Sequence, residues 1–154
     1  MDPSPTRQEL MEVTHNGQLL AMIIPHDYTR PGVNFFTPET GPLQLAAMNH
    51  PAGHAIAPHT HNPAHREVTR TQEVLILRKG RLRVDFYDDS QRYLQSTVIE
   101  AGDVILLAAG GHGFEVLSEV EMIEVKQGPF AGVDDKCRFP GVVPEQIQLI
   151  HWPQ

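Results

Sequence analysis

Short apolar segments that end at turn signals recur along most of the chain, and they limit what it can fold into. The clearest is "RLRVDFY", in which Leu82, Val84 and Phe86 alternate with more polar residues. A period of two is typical of a half-buried β-strand. Asn16-Gly17, which lies between two apolar runs, is the strongest short signal for a β-hairpin. The local patterns therefore favour β-structure.

The whole chain follows the same pattern. Its 13 prolines and 12 glycines are spread along the sequence, as in many short strands joined by turns. Roughly ten strands and almost no helix are predicted, with a Lys79-Gly80 turn between "EVLIL" and "RLRVDFY". Such chains hide their strand edges by closing or by stacking two sheets, which predicts an all-β sandwich or barrel. An immunoglobulin-like sandwich is less favoured, because the single cysteine, Cys137, leaves no disulfide pair.

Composition narrows the classes of partner. A chain of 154 residues suits one domain with a real core. The net charge of −7 argues against a nucleic-acid partner, since binding phosphates requires a basic patch. The N-terminus lacks the pattern of a signal peptide, and no apolar stretch is long enough to span a bilayer. With one cysteine, a cytoplasmic location is expected, with neither a membrane nor a nucleic-acid partner.

Histidines and acids are concentrated in "PHTHNPAHREVTRTQE", residues 58–73, which holds three histidines and two glutamates. His59 and His61 are two apart, and on a strand they would point to the same face and could reach one ion. Glu73 opens the next apolar segment, and His112 lies in the glycine-rich "AAGGHGF". Imidazoles and a carboxylate suit a borderline divalent metal. A His-x-His pair alone also occurs on solvated loops, so both interpretations stay open here.

The spacing of these residues resembles that of the cupin superfamily over roughly residues 42–126. The first cupin motif, G-x5-H-x-H-x(3–4)-E-x6-G, is similar to the pattern carried here by Gly53, His59, His61, Glu73 and Gly80. The second, G-x5-P-x-G-x2-H-x3-N, resembles the pattern that runs from Gly102 to His112.

The chain departs from these motifs in three places. Eleven residues separate His61 from Glu73, which implies a longer loop at the mouth of a barrel. Ala108 stands where the second motif has proline. His112 follows Gly110 after one residue instead of two, and no asparagine follows at the usual place, which alters the bend that presents His112.

The resemblance implies a fold and a metal site. The fold would be an all-β, cupin-type jelly-roll β-barrel (a double-stranded β-helix) in a single domain. The barrel would span 9–135, with its motifs in 53–113, between a flexible tail (1–8) and a Pro/Gly-rich C-terminal segment (136–154) packed on it. One divalent transition metal per chain, Zn, Fe, Mn or Ni, would be held by His59, His61, Glu73 and His112.

Glu67 and Glu73 compete for the role of the carboxylate ligand. On one strand they would share a face but lie about 20 Å apart at about 3.3 Å per residue, so both cannot bind one ion. Glu73 has the family's spacing to Gly80, and "VLIL" follows it directly. We therefore expect Glu73 at the start of a core strand, inside the barrel, and Glu67 in a polar flap over its mouth.

Further residues are candidates for catalysis or substrate binding. In "VEMIEVK", Glu124 and Lys126 share a face with Met122 and would line the pocket if that face looked inward. An outer, salt-bridging face is the favoured alternative. His65 is a third catalytic candidate, although an exposed loop histidine is the simpler interpretation. Arg66 and Arg70 could clamp a carboxylate or phosphate, or could be solvated loop charges.

The resemblance implies three functions. The first is a metal-dependent enzyme, such as an isomerase, epimerase or oxygenase, acting on a sugar or a hydroxy or keto acid. The alternatives are a cupin that binds or senses a saccharide without turnover, and a metal-free sugar-nucleotide isomerase. "TQEVLILRKGRLRVDFYDD" and "EVKQGPF" resemble small bacterial cupins of polysaccharide-gene neighbourhoods, which carry a metal but have no settled reaction. A homodimer is expected, because a second copy can cover the sheet edges of such barrels.

Overall fold

The computed structural model describes residues 8–152. The chain forms two compact units. Within the described residues, the sheet unit comprises 8–28 and 71–152, and the histidine-rich unit comprises 29–70. Apart from Gln8, the predicted N-terminal tail (1–8) lies outside the described residues.

The described residues form eight β-strands, as an all-β chain predicts. The sheet unit holds one six-stranded antiparallel sheet. Its strands are β1 (Met11–His15), β2 (Gln18–Ile24), β5 (Glu73–Tyr87), β6 (Tyr93–Glu100), β7 (Val104–Leu107) and β8 (Gly111–Lys126). In the histidine-rich unit, β3 (Gly32–Phe35) pairs with β4 (Ala46–Asn49).

Helical structure is limited to two short 3-10 turns in residues 8–152, Val133–Asp135 and Pro144–Gln146. Within that same range, no helix has the length and apolar character needed to cross a membrane.

The first hairpin forms where the sequence predicts it. Strands β1 and β2 pair through the Asn16-Gly17 turn, where both residues have positive φ, 50° and 76°. Two consecutive positive φ values characterise the turn that matches the twist of paired strands. Asparagine and glycine tolerate this conformation better than other residues.

The predicted turn at Lys79-Gly80 is wrong. The segments "EVLIL" and "RLRVDFY" do not pair with each other but form one 15-residue strand, β5. Strand β8 is equally continuous over 16 residues and pairs with β5 along its whole length. Register shifts between Leu77 and Leu82 take the place of the turn. Gly80, with φ 86°, belongs to a bulge in this ladder, and a glycine signal in sequence does not distinguish a bulge from a turn.

The bulge keeps the apolar residues on one face of the sheet. Before it, the buried residues are Glu73, Leu75 and Leu77; after it, Leu82, Val84 and Phe86 are buried on the same face, and Asp85 and Tyr87 are buried on the other. The parity changes from odd to even, so the irregular residues between Leu77 and Leu82 preserve the core face. The core consists of Met11, Val13, Leu20, Ala21, Ile23, Leu75, Leu77, Leu82, Val84, Phe86, Ile99, Ile105 and Leu107.

The long ladder is strongly curled. Glu73 pairs with Lys126 at one end of it, and Phe86 pairs with His112 near the other. On a straight strand, Glu73 and Phe86 would be about 40 Å apart at about 3.3 Å per residue. Instead, the side chains of Glu73 and His112 approach to 3.4 Å. The sheet unit is therefore a half-barrel whose two ends meet.

The curl predicts a specific requirement for Gly80. A Cβ added there would overlap the backbone carbonyl of Glu119, whereas one added at Gly17 would meet nothing within 4 Å. Both residues have positive φ, so alanine costs about 1–2 kcal/mol of strain at either site. We expect Gly80→Ala to lower the free energy of unfolding by about 2 kcal/mol more than Gly17→Ala, because overpacking adds to that strain. Urea denaturation measures the difference, and equal losses would contradict the close approach at Gly80.

Candidate functional site

Glu73 and His112 form the polar centre of the sheet unit. Glu73 is the first residue of β5 on the core-facing side, where the sequence predicts it, and its side chain is 11% exposed. His112 Nε2 lies 3.4 Å from Glu73 Oε2. The hydrogen bond from His112 lowers the pKa of Glu73; burial opposes this, and the charges of His112, Lys136 and Lys126 lower it further. Glu73 is therefore a carboxylate at neutral pH.

The glycines beside His112 allow the strand to pass close to its neighbours. Gly110 has φ 70°, and a Cβ there would overlap the backbone carbonyl of Tyr87. A Cβ on Gly111 would lie 2.9 Å from the ring of Phe139. This local crowding accounts for "AAGGHGF" without the proline of the resembled motif. The ring of Phe114, two residues further along β8, lies 5.3 Å from that of His112.

Glu124 and Lys126 lie opposite core-facing residues of β5. Strand β8 pairs Glu124 with Leu75 and Lys126 with Glu73, and directly paired residues of antiparallel strands project from the same face. This pairing favours an inward face, but Glu124 is exposed and neither residue lines the cavity described below, so the choice between an inner and an outer face stays a prediction. The ion pairs are nevertheless present, since Lys126 Nζ lies 4.0 Å from Glu124 and 3.6 Å from Asp135.

Glu73 and His112 line a cavity of about 520 Å³. Its volume is in the range of small-molecule sites. One wall is formed by the strands and the other by the C-terminal segment. The lining residues are Thr71, Glu73, Tyr87, Gly110–Phe114, Asp135–Phe139 and Gly141.

The C-terminal wall is attached to the sheet by specific contacts. The ring of Phe139 packs edge-on against Tyr87, with 5.0 Å between ring centroids. The backbone N–H of Val142 donates to Tyr87 Oη at 2.9 Å. Further along, the N–H of Ser96 donates to the carbonyl of Gln148, and Ile150 donates back to Ser96. The sequence predicts a C-terminal segment (136–154) packed on a barrel, but it does not predict that residues of this segment line a cavity beside Glu73, because no local pattern relates the two.

His59 and His61 lie together in the histidine-rich unit, but not on a strand. Residues 50–69 form no strand, and Pro51, Pro58 and Pro63 fall within them. Proline cannot donate to a strand ladder, which accounts for the difference from the strand expected for this pair. The two rings are nevertheless 5.3 Å apart, edge to face. His59 Nδ1 donates to the Ala57 carbonyl at 2.9 Å, which leaves the lone pair on Nε2.

The other predicted residues of that unit are exposed: His65, Arg66, Glu67 and Arg70. The structure thus brings Glu73 to His112 in one unit and His59 to His61 in the other. Within either unit, residues 8–152 contain no group of three or more His, Cys, Asp or Glu side chains arranged to hold a metal.

Comparison with known proteins adds no assignment, because no protein-family model, curated protein or solved structure matches the chain.

Proposed function

We propose that this protein is a metal-binding enzyme with a cupin-type jelly-roll fold, acting on a small polar substrate such as a sugar or a hydroxy or keto acid. The observation that carries the proposal is the Glu73–His112 pair in the lining of a cavity large enough for such a molecule. Convergent polar groups in a well-formed pocket are the usual basis for assigning a small-molecule site.

The donor atoms fit a divalent metal. Two ligands about 2.1 Å from one tetrahedral ion lie about 3.4 Å apart. This matches the 3.4 Å between Glu73 Oε2 and His112 Nε2. His59 has a tautomer suited to a ligand, since its Nδ1 donates to a backbone carbonyl and its Nε2 is left as an acceptor. Glu73 and His112 are proposed as ligands on this geometry, and His59 and His61 are proposed on the resemblance to the cupin motif alone.

When bound, a divalent metal would supply Lewis-acid polarisation of substrate oxygens or activation of water or dioxygen. The chain's own residues prepare the site for such chemistry. Glu73 is already ionised, because its pKa lies below the ordinary range. Phe114 and Phe139 give the cavity part of its apolar surface. Lys126, which is held by Glu124 and Asp135, keeps a positive charge near the carboxylate.

A second candidate is a metal-free isomerase that uses the same pair as acid and base. A carboxylate beside one imidazole nitrogen orients the ring and fixes its tautomer, so the other nitrogen can accept a proton. The 3.4 Å contact between Glu73 and His112 favours this function equally. Elemental analysis of protein purified without added metal separates the two, since the isomerase requires no bound ion.

The choice between the two glutamates gives a sharp test of the metal site. We expect Glu73→Gln to weaken metal binding at least about tenfold, about 1.4 kcal/mol, because the amide replaces a charged ligand. Glu67→Gln is the matched control, since Glu67 is exposed. It should change affinity by less than about threefold, about 0.7 kcal/mol. Competitive titration with a metal-sensitive dye measures both, and the reverse order would place the ligand in the loop.

The histidine pair is tested separately. A His59→Ala, His61→Ala double variant should purify without metal yet fold normally, because neither residue belongs to the sheet core. A His54→Ala, His65→Ala variant removes two histidines of the same unit and should keep its metal. Elemental analysis and circular dichroism provide the two measurements. Wild-type metal content in the first variant would show that His59 and His61 are not ligands.

We also propose that the protein is a homodimer. Strand β8 pairs with β5 along one edge only among the described strands, and Ile123 and Val125 on it are exposed. Long, apolar edge strands are usually covered. Light scattering should give twice the 17.2 kDa mass of one chain. A single-chain mass at micromolar concentration would contradict the dimer.

A further inference from the structure

We infer that the C-terminal wall of the cavity selects anionic substrates through Lys136 and Arg138. The inference rests on the proposed small-molecule function of the Glu73–His112 site and narrows the substrate class. It favours organic acids and phosphate esters over neutral sugars.

The first observation is that the acidic residues lining the cavity have charged or imidazole partners within residues 8–152, whereas the basic ones have no ion pair there. Both acidic side chains that line it already have a partner: Glu73 contacts His112, and Asp135 lies 3.6 Å from Lys126. Lys136 and Arg138 also line the cavity, and neither forms an ion pair within residues 8–152. The two cations are therefore available to a ligand.

The second observation is that these two positive charges lie in a protein whose net charge is negative. The protein carries a net charge of −7, yet its cavity is lined by two cations, Lys136 and Arg138, that form no ion pair with the part of the chain that the structure describes. Charged groups that line a cavity raise the local concentration of ligands of the opposite sign. The acidic residues of the same lining, Glu73 and Asp135, already contact His112 and Lys126. The charge of Lys136 also acts on the base of the cavity, since it contributes to lowering the pKa of Glu73. An anion held by Lys136 would thus lie near the Glu73–His112 pair.

The third observation is that the wall is attached and not loose. Phe139 follows Arg138 directly and packs on Tyr87, while the N–H of Val142 donates to Tyr87 Oη. These contacts hold the backbone on which Lys136 and Arg138 lie, while both residues stay exposed. A guanidinium can bind a carboxylate or phosphate with two parallel hydrogen bonds, and a lysine adds a point charge. Phe114 and Phe139 provide apolar surface for the carbon skeleton of the ligand.

The test uses two pairs of probes that differ in charge: pyruvate against pyruvamide, and glucose 6-phosphate against glucose. Isothermal titration at low salt measures binding to the full chain, both as purified and after chelation of metal. We expect the charged member of at least one pair to bind about tenfold or more tightly than its neutral counterpart. The pair that shows this preference distinguishes a carboxylate from a phosphate ligand.

The variant that removes the two charges is Lys136→Gln, Arg138→Gln. It should lose the preference for the charged probe, whereas Arg78→Gln, Lys79→Gln should keep it. This control removes the same two charges at exposed positions outside the cavity. The exchange Lys136→Arg, Arg138→Lys keeps both charges and should retain most of the preference, which distinguishes a charge effect from misfolding.

Several results would overturn the inference: equal binding of charged and neutral probes by the wild type, no binding of any probe, or an unchanged preference in the double variant. Elemental analysis of the same samples keeps the two proposals apart. Metal-free wild-type protein that still prefers the anions would reject the metal site and support the role of Lys136 and Arg138. Metal-loaded protein without the preference would do the opposite.

Discussion

The close approach of Glu73 to His112 depends on the curl of one long ladder. Strands β5 and β8 run side by side for their whole length, and the register shifts between them lie in one stretch, from Leu77 to Leu82. Bulges of this kind bend the strands that contain them. Gly80 is the residue that permits this approach, because any side chain there would meet the backbone of Glu119. A bulge at the middle of the ladder therefore determines the geometry of polar groups at its two ends.

The same curl explains why the cavity needs the C-terminal segment. The meeting of the two strand ends provides a base and one wall, but a half-barrel leaves the opposite side open. Residues 135–141 close that side and are attached through Tyr87, which ends β5 next to the pairing position of His112. Tyr87 thus links the ladder to the segment that carries Lys136 and Arg138. Lys136 and Arg138 and the Glu73–His112 pair are therefore positioned by the same ladder.

The sequence predicted β-structure correctly, but it did not predict that two of the expected strands form the single strand β5. The alternation in "RLRVDFY" and the Asn16-Gly17 signal act over a few residues, and both correspond to observed strands and turns. Whether Gly80 makes a turn or a bulge depends on which strand pairs beyond it, and that partner, β8, is about forty residues away in sequence. The position of Glu73 was predictable because a core strand follows it directly. Lys136 and Arg138 were not, because nothing local relates the tail to residue 73.

The exposure of residues on strand β8 shows why a site would lie on the β8 side of the half-barrel. Val84 and Leu82 are fully buried, yet their partners on the same face, Phe114 and Val116, are 39% and 55% exposed. The core thus fills the side of the half-barrel nearest β2 and β7 and leaves the β8 side open. His112 lies on this open part of the core-facing surface, and Glu124 and Lys126 pair with core-facing residues of β5. Polar groups there keep access to solvent and ligand, whereas in the filled part each would incur a desolvation cost without a partner.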